Sequence, residues 1–185
     1  YHVCEVSVIK DYFDIVLLTT KVYDTCWMLQ LIKPCLKEDS IVVGLQNGMS
    51  TDAIAAIVGQ SRTVGSVVEL SAEVFTPGLV RRNTANETTW LALGELHGKV
   101  TPRLRELEEI LSCCAKISLS TNILGAKWTK LINSSMILSV FGMLGLQSWE
   151  ATEIPKVFKL CISVGRETMA VGSALGYTIE PIFGF

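Results

Sequence analysis

Two uninterrupted apolar runs, DIVLLTT at 14–20 and IVVGL at 41–45, constrain this chain more than any other feature. Neither alternates apolar with polar residues, so neither reads as a strand with one wet face. Continuous apolar strands are the pattern of a parallel sheet covered on both sides. Between the runs, Asp24 or Thr25 can cap a helix reaching to about Lys37. After the second run, Thr51 or Asp52 can cap a short helix that Gly59 ends. The order strand, helix, strand, helix predicts a doubly wound α/β arrangement.

The next stretch predicts further strands at 63–70, 79–82 and 88–94, with turns at Pro77-Gly78 and Asn86. Thr101-Pro102 opens a helix to about Cys114, with proline at the first helical position, and KISLS at 116–120 is a last short strand. From Asn122 onward the strand signals stop. Residues 122–146 and about 153–175 read as two helices, the second starting near Pro155 and ending before Gly176. The expectation is an α/β domain over residues 1–120 and a helical region over 121–185.

Composition removes several functions. Hydrophobic residues are 49 % of the 185 and charged residues 18 %, which supports a packed core and excludes a disordered chain. The net charge is −2 with no Lys/Arg-rich run, so there is no electrostatic footprint for nucleic acid. The six cysteines form no CxxC pair and the two histidines lie far apart, so no metal site is expected and the chain reads as cytosolic. LINSSMILSVFGMLGL at 131–146 is short for a membrane span and carries Asn133, Ser134 and Ser135, so it predicts a buried helix and no membrane partner. None of the fourteen glycines makes G-x-G-x-x-G, the turn that opens a dinucleotide-binding domain. The chain runs into a core strand almost at once and ends without a stop signal, so both ends read as cuts from a longer protein.

Three stretches could carry chemistry. Lys21 follows the first apolar run at a strand's carboxyl end, which fits a ligand there and fits a solvated cap equally. Asn47-Gly48 follows the second run, either as an ordinary turn or as a partner of Lys21 in the crevice where doubly wound proteins bind ligands. Lys130 sits on a largely apolar helix with Asn133 and Ser134 at i+3 and i+4 on its side. It fits a proton donor or carboxylate ligand, and also a lysine reaching from a core helix to solvent.

The succession TTKVYDT, LQNGMS, TPGLV and AKWTKL, closing with GRETMAVGSALGY, resembles the ketopantoate reductase (2-dehydropantoate 2-reductase) family over essentially the whole chain. The resemblance implies that residues 1–120 are the C-terminal part of a Rossmann-type cofactor-binding domain and that 121–185 begin a helical substrate domain. It implies NADP as cofactor and a small 2-keto acid as substrate, with ketopantoate reduced to pantoate in pantothenate biosynthesis as the first choice. A related 2-keto acid, or ligand binding without turnover, are the alternatives, and a homodimer is compatible with it. By resemblance Lys130 is the catalytic proton donor and a substrate ligand. Lys21, Asn47 and, more loosely, Ala72 contact cofactor, while Asn47, Asn133 and Ser134 contact substrate. The family carries asparagines four and eight residues after the catalytic lysine, whereas this chain has Ser134 and Leu138 there. Lys127 lies three residues before Lys130, and the resemblance gives it no role.

Overall fold

The computed structural model describes residues 2–182. They divide into two compact units at the Ile123/Leu124 junction. The first holds a five-stranded sheet of β1 (Phe13–Leu18), β2 (Leu36–Gly44), β3 (Thr63–Glu69), β6 (Trp90–Glu95) and β7 (Lys116–Leu119), in that spatial order. A separate hairpin pairs β4 (Ala72–Thr76) with β5 (Leu79–Arg82).

The two apolar runs are neighbours and parallel, with Ile15 opposite Ile41 and Leu18 opposite Gly44. Their residues serve both faces of the sheet in turn. Val42 packs with Leu29, Ile54 and Val58 of helices α1 (Thr25–Ile32) and α2 (Thr51–Val58). Val43 packs on the opposite face with Leu104, Leu107 and Leu111 of α3 (Pro102–Leu111). Burial on both sides is why the run has no polar alternation.

The sheet is mixed rather than wholly parallel. β3 pairs β2 in parallel but β6 antiparallel, and β7 is again parallel to β6. Parallel return needs a crossover connection, usually a helix. The β4–β5 hairpin and a single tight turn, Asn86–Thr88, lie between β3 and β6, whereas α3 lies between β6 and β7. The hairpin turn is Pro77-Gly78, with Gly78 at φ 80°, a backbone conformation that glycine adopts freely.

Some boundaries differ from expectation. α1 stops at Ile32 instead of Lys37, because Pro34 cannot donate the next helical hydrogen bond; a single tight turn, Lys33–Cys35, leads into β2. The residue preceding α2 is Ser50 rather than Thr51 or Asp52. α3 begins as expected, with the Thr101 hydroxyl accepting the Leu104 N–H at 3.3 Å. Beside it, buried Glu95 accepts hydrogen bonds from Arg103 Nε at 2.7 Å and Thr101 Oγ1 at 2.6 Å. Burial by itself would raise the Glu95 pKa; these bonds and the Arg103 charge outweigh it and hold the carboxyl below its ordinary value.

The second unit is helical, as expected. Its first predicted helix is α4 (Ile123–Ser134), a π turn over Ser135–Ser139, and α5 (Val140–Leu144), ended by Gly145 in the left-handed region. A short α6 (Ser148–Thr152) was not expected, and α7 (Pro155–Ala174) runs as predicted. Among the described residues no helix is long and apolar enough to cross a membrane.

Candidate functional site

In the first unit the loops that leave β1 and β2 side by side carry Lys21 and Asn47. Leu18 and Gly44 are opposite each other in the parallel ladder, and each candidate residue stands three positions beyond its member of that pair. Parallel strands deliver their carboxyl ends to one edge, so the ladder brings the two residues to the same rim. Both are exposed. Lys21 precedes a single tight turn, Val22–Asp24, and makes no side-chain cap bond there.

Gln46 holds this rim together. It is 5 % exposed; its amide N–H donates to the Thr20 carbonyl at 2.7 Å and to Thr25 Oγ1 at 3.1 Å. Thr20 precedes Lys21 and Thr25 opens α1, so one side chain ties the loop after β2 to both ends of the β1–α1 connection. Ser66 Oγ adds a 2.7 Å bond to the Gly44 carbonyl. The sequence reading passed over Gln46, although a lone polar residue between an apolar run and Asn-Gly is a usable signal. It also passed over Ser50, whose buried hydroxyl has no hydrogen-bond partner among the described residues.

Ala72 opens β4 and is exposed. It lines a cavity of about 490 Å³ together with Thr19, Leu45, Val68, Leu91 and Arg82. Thr19 and Leu45 each stand two residues before a candidate rim residue, Lys21 and Asn47. The cavity is mainly aliphatic and opens beside the polar rim. The glycine-rich phosphate turn is not among the chain's 185 residues. Among the described residues no cluster of His, Cys, Asp or Glu could hold a metal ion.

In the second unit one side of α4 is fastened to α7. The Trp128 indole stacks on Tyr177 with ring centroids 4.7 Å apart, and its N–H donates to the Thr168 carbonyl at 3.1 Å. Ser135 and Thr168 hydroxyls meet at 2.9 Å, and Thr129 Oγ1 donates to the Glu180 carbonyl at 2.6 Å. Lys130 and Ser134, four apart, share a different side, and both are half-buried. Asn133 is half-buried as well and lies one residue off that row.

Lys127 differs from the ordinary neighbour the sequence suggested. It is 3 % exposed, and burial pushes its pKa down to about 8. Desolvation disfavours the ammonium, so this amine surrenders its proton far more readily than a surface lysine. A lysine between Ala126 and Trp128 in an apolar helix gave only a weak hint of this.

Comparison with known proteins places these features in context. A family model described as ketopantoate reductase PanE/ApbA matches residues 2–95, just over half of the chain. The chain is 25 % identical over 177 residues to the 2-dehydropantoate 2-reductase of Pyrococcus horikoshii, covering 91 % of this chain and 56 % of that one. Among solved structures, the 2-dehydropantoate 2-reductase of Geobacter metallireducens superposes with a TM-score of 0.83 at 24 % identity, over 94 % of this chain and 57 % of that one. A ternary complex of D-mandelate dehydrogenase with NADH and anilino(oxo)acetate gives a TM-score of 0.79 at 19 % identity, over 95 % and 56 %. The chain spans little more than half the length of these relatives.

Proposed function

Because this chain belongs to the ketopantoate reductase family, we propose that it serves in the NADPH-dependent reduction of a 2-keto acid to the 2-hydroxy acid. Ketopantoate, reduced to pantoate, is the reference substrate. Another 2-keto acid is the alternative raised by Ser134 and Leu138. The observation that carries the reading is Lys130: an ammonium with a hydroxyl one turn further on, projecting from a helix whose other side is locked to α7.

When bound, a reduced nicotinamide would supply a hydride to the keto carbon. Lys21 and Asn47 would hold it at the β1–β2 rim, with Ala72 as a further contact. As the C=O π bond breaks, negative charge develops on oxygen. Lys130 donates a hydrogen bond to that oxygen and then transfers its proton, giving the hydroxy acid and a neutral amine that solvent reprotonates. Asn133 and Ser134 would orient the carboxylate and keto group. Fixing the donor before reaction is what makes it effective, and the Trp128 anchor provides that fixing.

In the full-length protein, Lys130→Ala is expected to lower kcat by about 10²–10⁴-fold, the range for a positioned acid, with cofactor affinity and the circular dichroism spectrum retained. Lys21→Ala is expected to weaken cofactor binding instead. Undiminished turnover by Lys130→Ala would remove the proposal. Lys127→Ala is no innocent control here, because that side chain is buried.

A further inference from the structure

We propose that Cys113 and Cys114 are a modification site: a vicinal dithiol that a small-molecule disulfide oxidises to a Cys113–Cys114 disulfide, with weaker cofactor binding at the neighbouring rim as the result. The effect on the cofactor rests on the reading of Lys21, Asn47 and Ala72 given above; closure of the pair does not.

The two cysteines follow α3, in the turn between Leu111 and the start of β7 at Lys116. Strand pairing places that turn. Trp90, the first residue of β6, is opposite Glu69, the last of β3, and Lys116 is opposite Trp90. β1, β2 and β3 run in parallel. The dithiol therefore stands at the rim where all three end, the one that carries Lys21 and Asn47. Cys114 lines the aliphatic cavity that Thr19, Leu45 and Ala72 also line. Its carbonyl accepts a hydrogen bond from Arg82 Nη2 at 3.2 Å, and Arg82 is the ladder partner of Ala72. One backbone group thus ties the end of α3 to the hairpin that bears a candidate cofactor contact.

Both residues are free thiols, and both are exposed. Each donates to a carbonyl three residues back, Cys113 to Ile110 at 3.2 Å and Cys114 to Leu111 at 3.1 Å, and the two side chains also interact with each other. Cys113, outside the cavity, meets solutes first. Its thiolate attacks one sulfur of the small disulfide. That S–S bond breaks, a mixed disulfide forms on Cys113, and one thiolate leaves and takes up a proton. Burial, then the charge and hydrogen bond of Cys113, hold the Cys114 thiol above its ordinary pKa. A mixed disulfide cannot ionise, which removes the Cys113 part of that effect and frees Cys114 to act as the resolving thiol. Its thiolate attacks the Cys113 sulfur and expels the second thiolate. The pair has then lost two electrons and two protons, and the small disulfide has become two thiols.

Closure moves the backbone. Neighbouring Cα atoms are about 3.8 Å apart across a trans peptide, whereas disulfides usually span about 4.4–6.8 Å. The peptide between Cys113 and Cys114 must turn to let the sulfurs bond, which draws Cys114 off the Arg82 guanidinium. A bond strained in this way is readily reduced, as regulatory disulfides are.

The test uses the full-length protein, first reduced and then equilibrated with oxidised glutathione. Mass spectrometry of the peptide carrying both cysteines should show the loss of two hydrogens rather than a glutathione adduct. NADPH affinity, followed by quenching of protein fluorescence, should fall by about fivefold, which is what one lost hydrogen bond is worth, and dithiothreitol should restore it. Cys113→Ser removes the attacking thiol at an exposed position outside the cavity, so it should bind NADPH like reduced wild type before and after the treatment. A pair that stays reduced, or that stops at a glutathione adduct, overturns the proposal. So does unchanged affinity after closure, or an equal loss in Cys113→Ser, which would lay the effect on exposed Cys4 or Cys26. A reduced protein that binds no NADPH is a different result: it overturns the reading of the rim, while the mass shift still decides whether the pair closes.

Discussion

Replacing Gly172 with alanine tests how α4 is held. Gly172 lies inside α7, where alanine is intrinsically preferred to glycine by about 1 kcal/mol. On propensity alone the substitution would stabilise the protein. A Cβ built there would stand 2.0 Å from Trp128 Nε1 and 2.5 Å from Cε2. To restore van der Waals contact the indole would have to withdraw by about 1.5 Å, an overpacking that typically costs about 1–3 kcal/mol. The ring cannot withdraw freely, because it is stacked on Tyr177 and donates to the Thr168 carbonyl. Each of those contacts is worth about 1 kcal/mol. Set against the propensity gain, the net expectation is destabilisation by about 2 kcal/mol, a drop of several degrees in Tm. Thermal and urea unfolding, followed by circular dichroism, measure it. In a Trp128→Leu background the clash is gone, and the same substitution should become neutral or stabilising. A higher Tm for Gly172→Ala alone, or an equal cost in both backgrounds, would refute the reasoning.

Two further expectations concern the rim and the buried lysine. Gln46→Glu keeps the shape but replaces the N–H that faces the Thr20 carbonyl by an acceptor; a loss of about 2 kcal/mol is expected, together with faster amide hydrogen exchange over residues 19–26, and unaltered exchange there would contradict the rim assignment. Lys127 has its pKa lowered to about 8 from an unfolded value of 10.5, so between those values the unfolded chain binds more protons than the folded one. Stability should then rise with pH from about 8 to 10.5, and urea titrations at several pH values should show that slope in wild type and its flattening in Lys127→Met.

The strands of the first unit were legible where burial is two-sided. β2 announces itself because Val42 and Val43 must both be apolar to meet helices on opposite faces, whereas β1, at the sheet's edge, leaves Leu17 exposed. α3 was legible from Thr101, Pro102 and leucines spaced for one face. The antiparallel turn of β6 was not, since strand direction depends on what connects β3 to β6, and the short exposed β4 gave no periodic signal of its own. The end of α1 was misjudged because apolar spacing continues past Ile32, while the missing N–H of Pro34 decides the matter.

The candidate residues stand out in the sequence because Lys21, Asn47 and Lys130 are charged or polar residues beside apolar runs. The residues that hold them do not, because each works through a partner distant in sequence: Gln46 through Thr20 and Thr25, Trp128 through Thr168, Gly172 and Tyr177. Gly165 and Gly172 look like weak points of a helix when read alone. In the folded unit they are notches that receive Met136 and Trp128, the side chains on the fastened side of α4 and of the π turn that follows it. Met136 lies within that π turn, and a Cβ at Gly165 would stand 2.4 Å from its sulfur. The close approach of α7 therefore bears on the π turn itself. On this account Gly165→Ala should lower Tm, because the added methyl would meet Met136 in the turn that continues α4.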